Sequence, residues 1–369
     1  MATEIGRRRF LRAAAGAGTV MSLGGVGELL SRAAYVPHEA AVPEVKQRKL
    51  IVVLFGGGTR SSESIDDPEH RCIPRLWSEM VPHGTLFRNM RVEHRVVHPN
   101  CTGSILTGHW EWNDNDWSRP LAHPTVFEIY RKARCAPDTA AWAFVYASIL
   151  KNVGESLAPD HGVEFAANVV EPTTIPRSTA EEMTRHMREA AASGSLQAEL
   201  DATQWCAQLA RKTSRISREG LRSGPARVFV DSEYEAWKSI TGTTSHDVFL
   251  TDRAIACMRR YAPGVMAVAY GEIDCAHYGS WPRYLEAIRR TDGLTWRLWQ
   301  ATQQIDAYRD RTLMLILPDH GRELDGQDRW GFIHHSDFYT NQGADEGCRR
   351  VWMLALGPDV KAGLEIDKP

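Results

Sequence analysis

The sequence predicts an α/β fold: a doubly wound, mostly parallel sheet sandwiched by helices, with a helical insertion. Three observations carry this expectation. Leu50-Ile51-Val52-Val53-Leu54-Phe55 is a continuous apolar, β-branched run that stops at Gly56-Gly57-Gly58, as a strand buried on both faces does. Residues 264–270 and 312–317 repeat the pattern, and between them residues 282–309 place Leu285, Ile288, Leu294, Leu298 and Ile305 at helical spacing, completing a β-α-β unit. Charged and imidazole side chains gather just after these runs, where open α/β sheets hold ligands.

Taken in order, the chain opens with Gly6-Arg7-Arg8-Arg9-Phe10-Leu11-Arg12, an uncharged Ala/Gly-rich stretch over 13–27, and small residues from Ser31 to Ala34. A basic head, a weakly apolar middle and a small-residue end describe a secretory signal. The Arg7-Arg8-x-Phe10-Leu11 pattern resembles the twin-arginine export signal. The uncharged stretch is too short and too rich in glycine to cross about 30 Å of hydrocarbon, so no stable membrane span is expected. Residues 1–40 are therefore expected to be signal and linker, cut after Ala34 or near Ala40. The mature protein is expected to be periplasmic or secreted, its first partner the twin-arginine machinery.

Residues 48–369 are expected to form the α/β domain. The run at 50–55 supplies its first strand and residues 141–150 another. Residues 178–220, rich in Glu, Arg, Ala and Gln, read as exposed helices, a cap or insertion at about 175–225. Residues 351–356, ended by Gly357-Pro358, supply a late strand. With 44 Lys plus Arg against 46 Asp plus Glu, the net charge of −2 lacks the basic excess of a nucleic-acid binder. At 43% hydrophobic residues the chain can bury a large core. The seven cysteines contain no Cys-x-x-Cys pair, which argues against a zinc knuckle or a disulfide framework and for small core residues. Nothing in the sequence signals an oligomeric state.

The chemistry lies in three segments. Gly271-Glu272-Ile273-Asp274-Cys275-Ala276-His277 follows one strand, Pro318-Asp319-His320-Gly321-Arg322 follows the next, and His334-His335-Ser336-Asp337 precedes the last. Carboxylate oxygens combined with imidazole nitrogens suit zinc or a similar divalent ion, which polarises an ester oxygen and lowers the pKa of water. Pro159-Asp160-His161-Gly162 repeats the string of 318–321, but no apolar strand precedes it and a loop is expected there.

The order strand, Asp-x-x-His, long helix, strand, Asp-His-Gly, His resembles the alkaline phosphatase superfamily, which includes sulfatases, nucleotide pyrophosphatases and phosphonate hydrolases. Tyr284-Leu285-Glu286-Ala287-Ile288-Arg289-Arg290-Thr291-Asp292 resembles the Tyr-x-x-Ala-x-x-Arg-x-Thr-Asp helix of its sulfatase-like members. The resemblance implies an alkaline phosphatase-like sandwich holding one or two metal ions beside a Ser, Thr or modified Cys nucleophile. Carried over by position, it implies Asp274, His277 and His335 (or His334) as ligands of one ion and Asp319 with His320 as ligands of a second.

Two departures stand out. The family places an Asp directly after its first strand, whereas this chain has Gly56-Gly57-Gly58; Glu63 and Asp66 are the nearby carboxylates. Counting back from Ile105-Leu106-Thr107-Gly108 to the family's nucleophile lands on His98, neither Ser nor Thr. With one extra residue in the loop, Thr102 becomes the nucleophile candidate, with Cys101 and Ser104 as alternatives. Cys101 lacks the Cys-x-Pro-x-Arg context, so no formylglycine is expected. Asn100, Arg60 and Arg322 are candidate contacts to an anionic substrate. The expected function is an exported metal-dependent hydrolase of a small phosphate, phosphonate or sulfate ester. The alternative is a catalytically degenerate, metal-retaining binding protein of the same fold.

Overall fold

Alternation along β1 (Lys49–Leu54) sends successive side chains into two different cores. The described residues of the computed structural model are 48–171, 176–213, 215–239, 245–278, 281–324, 332–335 and 346–368. The export signal at 1–40, Ser336 and Asp337 lie outside them. Ile51, Val53 and Phe55 pack on one face of the sheet with Met266, Val268, Met314, Ile316 and Trp352. Val52 and Leu54 pack on the other with Ala267, Ala269, Leu315 and Leu317. Burying an aliphatic side chain contributes about 1.5–3 kcal/mol, so burial on both faces makes β1 the spine of the domain.

β2 (Gly84–Arg91), β3 (Ala141–Val145), β4 (Asn168–Val170), β5 (Val265–Ala269), β6 (Thr312–Leu317), β7 (Arg350–Leu356) and β8 (Leu364–Ile366) complete the described sheet, in the order β4-β3-β5-β1-β6-β7-β2-β8. β1 pairs in parallel with both β5 and β6, while β7 runs antiparallel to β6 and β2. The sheet is thus mixed but mostly parallel, with helices flanking it, as expected. The expected strand at 141–150 ends at Val145 and continues as turns. Because β1, β3, β5 and β6 point the same way, their C-terminal ends share one edge.

The α-helices among the described residues are α1 (His98–Thr107), α2 (Val126–Arg134), α3 (Arg177–Ala192), α4 (Leu196–Thr213), α5 (Gly224–Ser239), α6 (His246–Tyr261), α7 (Trp281–Gln304) and the short α8 (Glu346–Arg349). α1 has Pro99 in its first turn and ends on Gly108 in the left-handed conformation, φ 73°. α2 starts with a Thr125/Glu128 capping box and α6 with Ser245 accepting from Val248 N. α7 is tied to the segment after β1 by Asp292, which accepts N–H bonds from Arg75 (2.9 Å) and Leu76 (2.7 Å). α3 and α4 pack on each other, with His186 against Trp205 at 4.3 Å. No described helix is long and apolar enough to cross a membrane. Cys72, Cys101, Cys206, Cys257 and Cys348 are buried.

Candidate metal centre

Three strand exits, one helix start and the segment 332–335 build the site. β1 leaves through Gly56-Gly57-Gly58, and any side chain there would collide with its neighbours. A Cβ on Gly56 would lie 1.8 Å from Tyr270 O, one on Gly57 (φ 83°) 2.5 Å from Asp274 N, and one on Gly58 (φ 75°) 2.9 Å from the His320 ring. The turn that lacks a carboxylate is therefore the one against which both loops carrying candidate ligands pack.

After β5 the chain forms a 3-10 helix, Glu272–Tyr278, held by buried Asp247 of α6. Asp247 Oδ1 accepts from Gly271 N at 3.0 Å and Oδ2 from Glu272 N at 2.9 Å. Burial, reinforced by the Glu272 charge, raises the Asp247 carboxyl to about 7. After β6, Asp319 and His320 are fully enclosed. Gly321 O accepts from His320 Nδ1 at 2.8 Å, which puts the proton on Nδ1 and leaves a lone pair on Nε2.

Two sets of donor atoms result. In the first, Asp274 Oδ1 lies 3.0 Å from His277 Nε2 and 3.2 Å from His335 Nε2, and the two nitrogens are 2.7 Å apart. In the second, His98 Nδ1 lies 2.7 Å from Asp319 Oδ2 and 3.0 Å from His320 Nε2, which is 3.5 Å from the same Asp319 oxygen. A cation bound by N and O donors at about 2.0–2.2 Å spaces its ligands about 3–3.5 Å apart. Two separations in each set fall in that range, and the third, at 2.7 Å in both, is shorter.

The charges are strongly coupled. Burial alone would lower the His98 imidazole, but the Asp319 and Asp274 carboxylates outweigh it and push it up to about 10. Burial would raise both aspartates, yet Asp274 is held far below the carboxylate range by the His98 charge and by hydrogen bonds from His277 and His335. Asp319 is depressed by His320 and His98. Burial lowers His320 to about 4 and His335 well below its ordinary value. Among the described residues, His98 Nε2 and His335 Nδ1 are buried without a hydrogen-bond partner. Orphaned imidazole nitrogens, two ring nitrogens 2.7 Å apart, and carboxylates kept ionised fit a divalent cation.

The remaining expected residues have other partners. Between the neighbours His334 and His335, His335 is the one in the cluster; His334 lends its carbonyl to Glu323 N. Arg322 is fully buried and donates to Asp274 Oδ1 (2.8 Å), Ile333 O (3.1 Å) and Gly57 O, tying the three strand-exit segments together. Arg60 forks onto Glu63 at 2.7 and 2.8 Å, and Tyr284 OH donates to Glu63 at 3.1 Å. Asp66 pairs with Arg350 and Arg88. Asn100 donates to Trp112 O (2.7 Å) and accepts from Trp117 Nε1 (3.0 Å), fastening the Trp-rich loop. Ser104 Oγ bonds Asn100 O and Glu111 N, and Cys101 Sγ donates to Arg95 O. Thr102 Oγ1 is buried without a hydrogen bond, one turn beyond His98.

Two residues at or behind the cluster, Asp247 and Tyr146, have no place in the sequence reading, and His98 appears there only as a position without a hydroxyl. The ring of Tyr146 meets His98 edge-on at 5.7 Å, and its buried OH has no hydrogen-bond partner. Position after β3 is the signal that would have found it. Beyond the ends of β3 and β4 lies an open cavity of about 620 Å³ lined by Trp117, Ser148, Lys151, Glu171 and Ser217, among others.

No family model and no curated protein matches the sequence. Solved structures do resemble the fold. Ps i-CgsB superimposes with a TM-score of 0.52 at 14% identity, over 88% of this chain and 69% of that one. Its complex with k-i-k-neocarrahexaose gives 0.51 at 13%, with the same coverage. A PsFucS1 sulfatase from Pseudoalteromonas sp. aligns with 98% of this chain and 67% of its own at 12% identity, with a TM-score of 0.49. At these identities the likeness is one of fold.

Proposed function

We propose that the protein is an exported, metal-dependent hydrolase of small phosphate, phosphonate or sulfate esters. The observation that carries this reading is the convergence of Asp274, His277 and His335, with Asp319 and His320 beside them, at the edge where the parallel strands end. Zinc suits these nitrogen and oxygen donors. A divalent ion bound there supplies Lewis acidity, polarising an ester oxygen and lowering the pKa of water.

The chain's own residues do the rest. Asp274 and Asp319 stay ionised against burial and so favour cation binding near neutral pH. Arg322 fixes the Asp274 carboxylate through one oxygen, and Asp247 fixes the backbone that carries it. Tyr146 OH is a buried donor with no acceptor among the described residues, suited to an ester or leaving-group oxygen. Attack is assigned to water rather than to the expected Thr102, because Thr102 lies a helical turn beyond His98, the α1 residue that faces Asp274 and Asp319, and the alternatives Ser104 and Cys101 are bonded to backbone.

Metal analysis of protein matured without chelators, followed by turnover on aryl phosphate, phosphodiester, phosphonate and sulfate panels, tests the proposal. Metal-dependent turnover of at least one class is expected. Bound metal with no turnover on any of them would replace it with the second reading, a metal-retaining binding protein. That reading is favoured by one observation: an imidazole, His98, occupies the α1 position facing both donor sets. Thr102→Val is expected to leave turnover within about threefold; a loss beyond about 1000-fold would give Thr102 the nucleophile's role.

A further inference from the structure

Asp319 and His320 reach the second donor set from a single loop after β6. Two protein donors are too few for a stable zinc or similar site, which takes three or four. The turn after β1, the nearest backbone on the other side, has no side chains to offer and no room for one. His98 fills the gap.

We propose that His98 is a metal ligand, closing the second site through Nδ1 together with Asp319 and His320. The inference rests on the metal-binding part of the function proposed above and is independent of hydrolysis. Nδ1 is the atom nearest both partners, 2.7 Å from Asp319 Oδ2 and 3.0 Å from His320 Nε2. In the metal-free protein a single Nδ1–H on His98 has to serve two acceptors, Asp319 Oδ2 and His320 Nε2, the latter left with a lone pair because His320 Nδ1 donates to Gly321 O. A cation in place of that proton engages all three atoms as donors.

The opposite ring atom, His98 Nε2, is buried, has no hydrogen-bond partner among the described residues, and faces Asp274 Oδ2 at 3.5 Å. The imidazole therefore forms the common wall of the two donor sets. Its place is set by secondary structure rather than by a mobile loop. His98 is the first residue of α1, followed by Pro99, and its ring is packed against Tyr146, His320 and His335 with centroids 5.7, 4.5 and 4.6 Å away.

The test counts metal rather than activity. Wild-type protein and a His98→Gln variant are loaded with Co(II) or Zn(II), freed of excess by gel filtration, and compared by elemental analysis and by Co(II) absorption. The wild type is expected to hold two equivalents. His98→Gln is expected to hold one, with the second equivalent weakened at least about tenfold. The Co(II) spectrum of the Asp274/His277/His335 site should persist.

A His98→Ala variant supplemented with free imidazole guards against misfolding, because a small-molecule ligand restores a missing donor but not a lost fold. Recovery of the second equivalent supports the assignment. Unchanged stoichiometry and affinity in His98→Gln overturns it, as does wild-type protein that binds no metal. Metal loss on His98 substitution, in a protein that hydrolyses no ester, would sink the hydrolase reading and leave this assignment standing.

Discussion

The string Pro-Asp-His-Gly occurs twice, and the two copies have opposite fates. At 318–321 every residue is buried, and Asp319 and His320 belong to a cluster of imidazoles and carboxylates. At 159–162 Asp160 is exposed and left-handed (φ 64°), His161 Nδ1 turns back to Pro159 O, and Gly162 N donates to Glu128. Identical side chains make a candidate metal site in one place and a surface turn in the other. What differs is the preceding segment: β6 delivers its copy to the shared edge of a parallel sheet, and no strand precedes the other. Four residues of sequence carry no chemistry until topology places them.

The comparison breaks if both copies respond alike to substitution. The largest contrast is expected from Asp319→Asn against Asp160→Asn. The former should lose one metal equivalent and lower turnover more than about 100-fold, the latter should change neither; elemental analysis and steady-state kinetics check both. Next come the glycines. Gly321→Ala puts a Cβ 1.9 Å from Gly347 O and should cost about 3 kcal/mol of stability through overpacking. Gly162→Ala meets only Ser156 O, at 3.1 Å, but with φ 83°, and should cost about 1–2 kcal/mol. Denaturant midpoints rank the pair.

A smaller effect is expected one residue further along. Arg322→Met should weaken the first metal equivalent about 10- to 100-fold by freeing the Asp274 carboxylate. Lys132→Met, which removes the donor to Asp160 O, should stay within about 0.5 kcal/mol of wild-type stability. Smallest is the pH response of metal-free protein. His320 is held near 4, so the unfolded chain binds a proton that the folded one refuses, and stability should fall as pH drops from about 6.5. His98 is raised to about 10, so its contribution is complete below about 6.5 and should drain away as pH climbs from there to about 10. Urea midpoints across pH should show a dome, and His98→Gln should flatten its alkaline side.

The strands readable from sequence were those with uninterrupted apolar runs, because burial on both faces leaves no polar interruption. β2 escaped because its second half, Arg88 to Arg91, carries polar and half-exposed residues. β4 and β8 are each too short to show a period. Site residues followed the same logic. Asp274, His277, Asp319 and His320 come soon after readable strands, whereas His98 opens a helix and was judged against a hydroxyl that it does not have. His334 and His335 are neighbours that sequence spacing does not separate. Only the packing of one ring against His98 and His320 does so.

The glycine turn after β1 also sets a limit on redesign. Adding a carboxylate at Gly56 or Gly57 would enlarge the donor set in the most direct way, yet both positions sit in hard contact with the backbone of the β5 exit. Such a change needs the Tyr270–Asp274 segment to retreat first, and that segment carries Asp274, a candidate ligand of its own. A third acid therefore has no single-substitution route through this turn, and whatever repertoire the centre has must be extended from α1 instead.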